Sequence, residues 1–211
     1  MKKIATIFLA GALLMACCAG CRRMQPEESS NPTNNSSIPT SNTTVPSTTN
    51  QGNNQTQSVE LLLKIWQQYK AEDRFSAYGG TVENAVDDAP GGLNMDNVDE
   101  LTNRYLIPES RLGNVQEAAS LVHMMNSNIF TAVAVKLSAN VDRKTFYEDW
   151  RNAIQSNQWI CGQPDRMVMV GVGDSSLIMA FGSTDAINAF MDNLQKVHQG
   201  AQVFYNEAIV S

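Results

Sequence analysis

A low-complexity stretch over residues 25–58 limits where this chain can fold. Most of these residues are Ser, Thr, Asn, Gln or Pro; Ile38 and Val45 are the large aliphatic ones, and no aromatic residue occurs. Such a segment cannot bury enough apolar surface to offset the entropy lost on ordering. We therefore expect a flexible tether here and a folded domain in residues 59–211.

The first residues have the pattern of an export signal. Lys2 and Lys3 precede an apolar run over residues 4–16, which is too short to span a bilayer comfortably. A positive start followed by a short apolar segment is typical of a cleaved signal peptide. We therefore predict a signal peptide over residues 1–16.

The end of that run resembles a bacterial lipobox. The sequence Leu14-Met15-Ala16-Cys17 has an apolar residue three before a cysteine and a small residue just before it. This pattern predicts cleavage before Cys17, lipid attachment to its sulfur, and a tether over residues 17–58. Cys21, which follows Ala19-Gly20, is the alternative lipid-bearing residue. The expected location is the outer face of the cell membrane, with the membrane itself as a partner through the lipid.

The predicted domain is acidic. Residues 59–211 hold 11 of the 15 basic residues and 19 of the 21 acidic residues, a formal charge of −8. This charge argues against nucleic acid as a partner and against electrostatic docking on anionic lipid. Cys161 is the one cysteine of this segment, so a disulfide within the domain is excluded and packing must stabilise it.

The N-terminal part of the domain predicts two helices separated by a glycine-rich loop. Ser58 is the expected N-cap of the first helix, in which apolar residues recur at helical spacing: Val59, Leu62, Trp66 and Tyr69. The loop contains Gly79-Gly80 and Gly91-Gly92. A short second helix is expected over residues 96–105.

The remaining pattern predicts two β-hairpins, each followed by a helix. The first hairpin joins residues 118–125 and 129–137, and its helix begins at Asp142. The second joins residues 167–172 and 177–181, and its helix begins at Ser183. We therefore predict an α+β fold: a two-layer sandwich of one antiparallel sheet with helices on one face, preceded by the N-terminal helices.

Four segments resemble a known family. They are Tyr105-Leu106-Ile107, Met125-Asn126-Ser127-Asn128 before the strand IFTAVAVKL, the helix from Asp142, and the hairpin GDSSLIMAF. In these segments the chain resembles a lipoprotein domain of unknown function that is common in Gram-positive gut anaerobes. The resemblance implies lipid anchoring and this type of fold. It carries over no established active site.

A hydrolase is the alternative that the residues leave open. Gly173-Asp174-Ser175 resembles the nucleophile block of one esterase superfamily, but no D-x-x-H follows it and a tight hairpin turn explains the same residues. Cys161 is a second candidate nucleophile without an identified base. We therefore assign no catalytic residue and keep an envelope hydrolase as the alternative function.

The sequence predicts no metal and no cofactor. His123 and His198 lie in no zinc-binding frame. An acidic loop could hold calcium, yet its spacing departs from that of an EF-hand: Asp87, Asp88, Asn94, Asp96 and Asp99. We interpret this loop as a solvated acidic surface.

One loop, over residues 159–166, is the expected binding site. It joins a helix to a strand and carries Trp159, Cys161 and Arg166. Trp and Arg are enriched where binding energy concentrates, and loops commonly carry function. We therefore predict a non-catalytic binding module that takes an envelope protein or a cell-wall ligand through this loop.

Overall fold

The computed structural model of this protein describes residues 55–210. The predicted signal peptide, nearly all of the tether, and both candidate lipid-bearing residues, Cys17 and Cys21, lie outside the described residues. Within residues 55–210, no helix combines the length and apolar composition needed to cross a membrane.

The described residues form four α-helices and eight β-strands. The helices are α1 (Gln57–Trp66), α2 (Val98–Asn103), α3 (Arg143–Gln155) and α4 (Thr184–Val197). The strands are β1 (Ala77–Gly79), β2 (Val86–Asp87), β3 (Gly91–Gly92), β4 (Val115–His123), β5 (Phe130–Leu137), β6 (Arg166–Val172), β7 (Ser176–Gly182) and β8 (Gln202–Ala208).

All eight strands belong to one antiparallel sheet, which confirms the α+β prediction at this level. The strand order is β2-β1-β4-β5-β7-β6-β8, and β3 also pairs with β4. In the middle of the sheet β5 pairs with β7, so that Val133 lies opposite Met179. In chain order, α3 follows the β4–β5 pair and α4 follows the β6–β7 pair.

Both faces of the sheet are buried, which differs from the expected two-layer arrangement. Along β5, Val133 and Val135 belong to one core, whereas Ala132 and Ala134 belong to the other. Helices α1 and α4 cover the alanine face, and α3 with part of α2 covers the valine face. Helices on one face alone were expected, but the small side chains of Ala132 and Ala134 leave room for helices on the other face as well.

Aromatic packing ties α4 to the sheet. Phe190 of α4 and Phe130 of β5 are both fully buried, with ring centroids 5.4 Å apart. Truncating a buried phenylalanine to alanine typically costs about 3–5 kcal/mol, because the lost contacts leave a cavity. We therefore regard this pair as one of the contacts that hold the helical layer in place.

The helix starts partly follow the sequence prediction. Asp142 and Ser183 are the N-caps of α3 and α4, as expected. The predicted N-cap of the first helix is wrong: the hydroxyl of Thr56 accepts a hydrogen bond from the Val59 nitrogen at 3.3 Å, and Ser58 lies inside α1. Helix α1 thus begins at Gln57, two residues before Val59.

Short strands replace the expected glycine-rich loop. β1 and β3 both pair with β4. A Cβ atom on Gly79 would lie 2.2 Å from the backbone nitrogen of Gly91. These glycines therefore permit two backbones to pass close together.

The last strand, β8, was not expected. It pairs with β6, with Glu207 opposite Met167, and forms one edge of the sheet. Its side chains are mostly exposed or half-buried, so the segment lacks the strong apolar alternation by which a strand is recognised in a sequence.

Candidate functional site

A cleft of about 790 Å³ lies in the described part of the chain. Its walls come from α2 and the preceding 3₁₀ turn at Val82–Asn84, from the turn between β4 and β5, and from residues 157–161 after α3. This volume lies within the range of about 300–1,000 Å³ that is usual for ligand sites. The cleft therefore has the size of a binding site.

Two carboxamides fasten the loop after α3 to the β4–β5 turn. The Asn126 side-chain nitrogen donates to the carbonyl oxygen of Cys161 at 3.3 Å, and that of Asn128 donates to the carbonyl oxygen of Gly162 at 2.6 Å. The Asn126 carboxamide oxygen also accepts from the Asn128 backbone nitrogen at 2.8 Å. One wall of the cleft is thus held by side chain–backbone bonds between segments distant in sequence.

A second set of bonds holds the wall formed by α2. Asn97, the N-cap, accepts from the Glu100 nitrogen at 3.2 Å and donates to the Glu100 carboxylate at 3.0 Å. The other carboxylate oxygen of Glu100 accepts from the Val82 nitrogen at 3.1 Å. Glu100 is thereby committed to joining α2 to the 3₁₀ turn.

The most deeply buried lining residues are apolar. Leu106 is 8% exposed and Phe181 is 2% exposed, and the rings of Phe181 and Trp159 lie edge to face with centroids 5.1 Å apart. Leu106 has a φ of +55°, a left-handed conformation that costs a residue with a side chain about 1–3 kcal/mol. Strain of this kind persists only where neighbouring structure imposes it.

A buried hydrogen-bond network next to Leu106 supplies that restraint. The Tyr105 hydroxyl donates to the carbonyl oxygen of Gly80 at 2.9 Å and accepts from the Ser120 hydroxyl at 3.1 Å. The Trp150 indole nitrogen donates to the Tyr105 carbonyl oxygen at 3.2 Å. Burial raises the pKa of the Tyr105 phenol, which keeps it protonated as a donor.

Three carboxamides in the lining remain unpaired. The side chains of Asn103, Asn157 and Gln158 make no hydrogen bond to another residue within 55–210. Each carboxamide offers two donor hydrogens and one acceptor oxygen. These groups are therefore available to a ligand, unlike the carboxamides of Asn97, Asn126 and Asn128.

The charged lining side chains are mostly acidic. Glu83, Asp99 and Glu100 face one basic residue among the lining, Arg104. The Arg104 guanidinium donates to the Tyr78 hydroxyl and lies over the Tyr78 ring, 5.2 Å from its centroid. The cleft thus has a surplus of negative charge, and its one basic lining side chain, Arg104, is already bound to Tyr78.

The structure places two of the three predicted binding residues in this cleft. Trp159 and Cys161 line it, and the Cys161 thiol is free and exposed. Arg166 does not line it: this residue begins β6, and its guanidinium donates to the Asn206 side-chain oxygen of β8 at 2.5 Å. Arg166 is separated from Trp159 and Cys161 because it belongs to β6 and not to the loop that lines the cleft.

Ser175 lies in a setting that a hairpin turn explains. It sits between β6 and β7 beside Gly173, which has a φ of +59°. The Ser175 carbonyl oxygen accepts from the Leu137 nitrogen at 2.8 Å. The cavity of about 410 Å³ that Ser175 lines has no histidine among its lining residues.

A smaller cavity of about 480 Å³ lies between α3 and β8 and includes Tyr147 and Phe204. Arg143 lines it, donates to the Tyr147 hydroxyl at 2.7 Å and lies over the Phe204 ring. Lys144 also lines it and pairs with Glu148 at 3.7 Å. Among the described residues, no unpaired carboxamide lines this cavity, which makes it a weaker candidate than the cleft.

The described residues provide no metal centre: within 55–210, no group of three or more His, Cys, Asp or Glu side chains is arranged to hold an ion. In the acidic loop, Asp88 instead forms an ion pair with Arg74 at 3.5 Å, and its carbonyl oxygen accepts from the Trp66 indole at 2.8 Å.

The fold and the cleft define an α+β domain with one antiparallel sheet covered on both faces and a carboxamide-lined cleft beside it. No protein-family model, curated protein or solved structure matches the chain.

Proposed function

We propose that this protein is a non-catalytic binding module and that the carboxamide-lined cleft is its binding site. The observation that carries the proposal is the set of unpaired carboxamides, Asn103, Asn157 and Gln158, around the indole of Trp159. A few convergent polar groups above an apolar floor are typical of ligand sites. Tryptophan is also among the residues that contribute most to binding energy.

We further propose that the module is a lipoprotein held on the outer face of the cell membrane. The lipobox-like sequence before Cys17 supports this, with Cys21 as the alternative attachment site. The polar stretch before α1 would act as a tether, and a flexible chain of about 40 residues has an r.m.s. reach of about 35 Å. The cleft would then meet ligands of the cell envelope.

An envelope hydrolase is the alternative function, and one observation favours it: the Cys161 thiol is exposed in the cleft. A nucleophilic cysteine requires a base within hydrogen-bonding reach. Neither histidine of the chain is among the residues that line the cleft. The binding function is therefore better supported.

Thermal unfolding of the full-length chain in detergent micelles tests the binding proposal. The panel contains short peptides, N-acetylglucosamine oligomers, muropeptides and calcium. A ligand of the folded domain stabilises it by about 2.7 kcal/mol at a hundredfold excess over its dissociation constant. We expect one class to raise the midpoint, and the double variant Asn103→Ala/Asn157→Ala to abolish that shift.

The matched control is Gln195→Ala/Gln199→Ala, which removes two exposed carboxamides that do not line the cleft. This control should keep the full shift. A shift that survives loss of Asn103 and Asn157 would place binding elsewhere and contradict the proposal. The small substitution Cys161→Ser separates the functions, because a hydrolase that uses this thiol would lose its activity whereas a binding module should keep the shift.

A further inference from the structure

We infer that the cleft takes an extended, uncharged or basic segment of a protein partner. This inference rests on the proposed function and names the chemical class of the ligand. It depends on three properties of the cleft: unpaired carboxamides from two separate elements, exposed apolar side chains in and beside the lining, and a surplus of acidic side chains.

The carboxamides match the main chain of an extended peptide. A carboxamide can donate to a peptide carbonyl and accept from a peptide N–H, which are the groups that every residue except proline presents. Asn103 lies at the end of α2, whereas Asn157 and Gln158 follow α3, and all three line the cleft. A segment bound in the cleft would meet unpaired carboxamides from both elements.

The exposed apolar side chains match those of such a segment. Ile160 is 93% exposed and Val82 is 64% exposed, and both line the cleft. Met125, which is 82% exposed, directly precedes the lining residue Asn126. Clustered apolar side chains with a polar surround mark protein interaction sites. An extended peptide presents side chains that can pack against such an apolar surface, so these residues fit a peptide.

The charges of the cleft select against an acidic segment. Glu83 and Asp99 are exposed and form no ion pair with another described residue. Arg104 is the basic lining residue, and it is engaged by Tyr78. Negative charge at an interface favours a partner of opposite sign and repels one of like sign. A basic or neutral segment therefore fits better than an acidic one.

Trp159 gives a direct readout of occupancy. The chain has three tryptophans, and the other two, Trp66 and Trp150, are 1% and 0% exposed. Fluorescence quenching by acrylamide therefore reports mainly on Trp159. The full-length chain in detergent micelles is titrated with two mixtures of short synthetic peptides. Leucine alternates with lysine in one mixture and with glutamate in the other, and N-acetylglucosamine oligomers form a third arm.

We expect the lysine mixture to protect Trp159 and to bind at least about tenfold more tightly than the glutamate mixture. Asn157→Ala should weaken binding about tenfold, the effect of losing about 1.4 kcal/mol of hydrogen bonding, whereas Gln195→Ala should not. Glu83→Lys should weaken binding of the lysine mixture, whereas Asp192→Lys, at an exposed position of α4 outside the cleft, should leave it unchanged.

Equal affinity for the two peptide mixtures would overturn the inference. Equal losses of affinity for the lysine mixture in Glu83→Lys and Asp192→Lys would overturn it as well. Protection of Trp159 by the oligosaccharides alone would exclude a peptide ligand and leave the proposed binding function standing. If the peptides and oligosaccharides, and every ligand of the thermal panel, leave both Trp159 and the unfolding midpoint unchanged, both proposals fail.

Discussion

Asn128 and Gly162 are joined by a hydrogen bond of 2.6 Å from the carboxamide nitrogen of Asn128 to the carbonyl oxygen of Gly162. Asn128 belongs to the turn between β4 and β5, and Gly162 to the segment between α3 and β6. This bond therefore ties the first hairpin to the loop that carries Trp159. Gly162 has a φ of +98°, a conformation that residues with a Cβ atom rarely adopt.

Replacing Gly162 with alanine should disturb the cleft without creating a clash. Nothing lies within 4 Å of a Cβ atom built at Gly162, so the cost is conformational and should be about 1–2 kcal/mol. The loop can escape this cost by rotating its backbone, which would break the bond to Asn128. We expect a lower unfolding free energy in urea and greater quenching of Trp159 by acrylamide.

Gly113→Ala is the matched control. A Cβ atom at Gly113 also meets open space, and its backbone does not have a positive φ. This variant should stay within about 0.5 kcal/mol of the wild type. An equal loss in Gly113→Ala would show that the left-handed conformation of Gly162 is not the cause.

Tyr105→Phe should loosen the restraint on Leu106. The variant removes the hydrogen bonds of the Tyr105 hydroxyl, but Gly80 and Ser120 keep the bonds between them at 3.0 and 3.4 Å, so the loss should be about 0.5–1.5 kcal/mol. Without this network, the left-handed Leu106 should relax and the cleft should become more mobile. Hydrogen exchange at residues 104–107 measures the mobility, and urea denaturation measures the stability.

The control for this variant is Tyr205→Phe. Tyr205 is half-buried on β8, and its hydroxyl makes no hydrogen bond within 55–210. Removing it should change stability by less than about 0.5 kcal/mol. If Tyr105→Phe were equally mild and left exchange at residues 104–107 unchanged, the network would not be what holds Leu106.

The parts of the fold that the sequence predicted depend on local signals. Asp142 and Ser183 were identified as N-caps because their side chains bond to backbone groups within the next few residues. The β4–β5 and β6–β7 pairs follow from apolar runs separated by short turns. In these segments, the residues close in sequence are sufficient to specify the helix start or the strand pair.

The parts that the sequence missed depend on contacts between distant residues. Ala132 and Ala134 show no strong pattern until α1 and α4 pack over them. Asn103 and Asn157 are ordinary polar residues in the sequence, and only the fold brings both into the lining of one cleft. Arg166 lies near Trp159 in the sequence, yet it does not line the cleft, because it begins β6. In each of these examples the position of the residue depends on tertiary packing.

Lipid attachment should depend on one cysteine. In bacteria that take up a labelled palmitate, the full-length wild type and Cys21→Ser should carry the label, whereas Cys17→Ser should not. The reason is the small apolar context before Cys17, Leu14-Met15-Ala16. Label retained in Cys17→Ser and lost in Cys21→Ser would assign the alternative site. If the wild type and both variants all failed to take up the label, lipid anchoring would be contradicted.

His198 should make stability depend on pH. Burial, and then the ammonium of Lys64, hold the pKa of His198 below its ordinary value, although a backbone hydrogen bond with Leu61 opposes this. The unfolded chain therefore binds this proton at a higher pH than the folded chain, so neutral His198 stabilises the fold above about pH 6.5 and loses this effect as the pH falls. In urea denaturation between about pH 8 and 5, His198→Gln should lose less stability than the wild type. Burial also lowers the pKa of His123, so His123→Gln should remove a separate part of the stability loss at low pH. If stability fell with pH as steeply in His198→Gln as in the wild type, His198 would not contribute to the pH dependence.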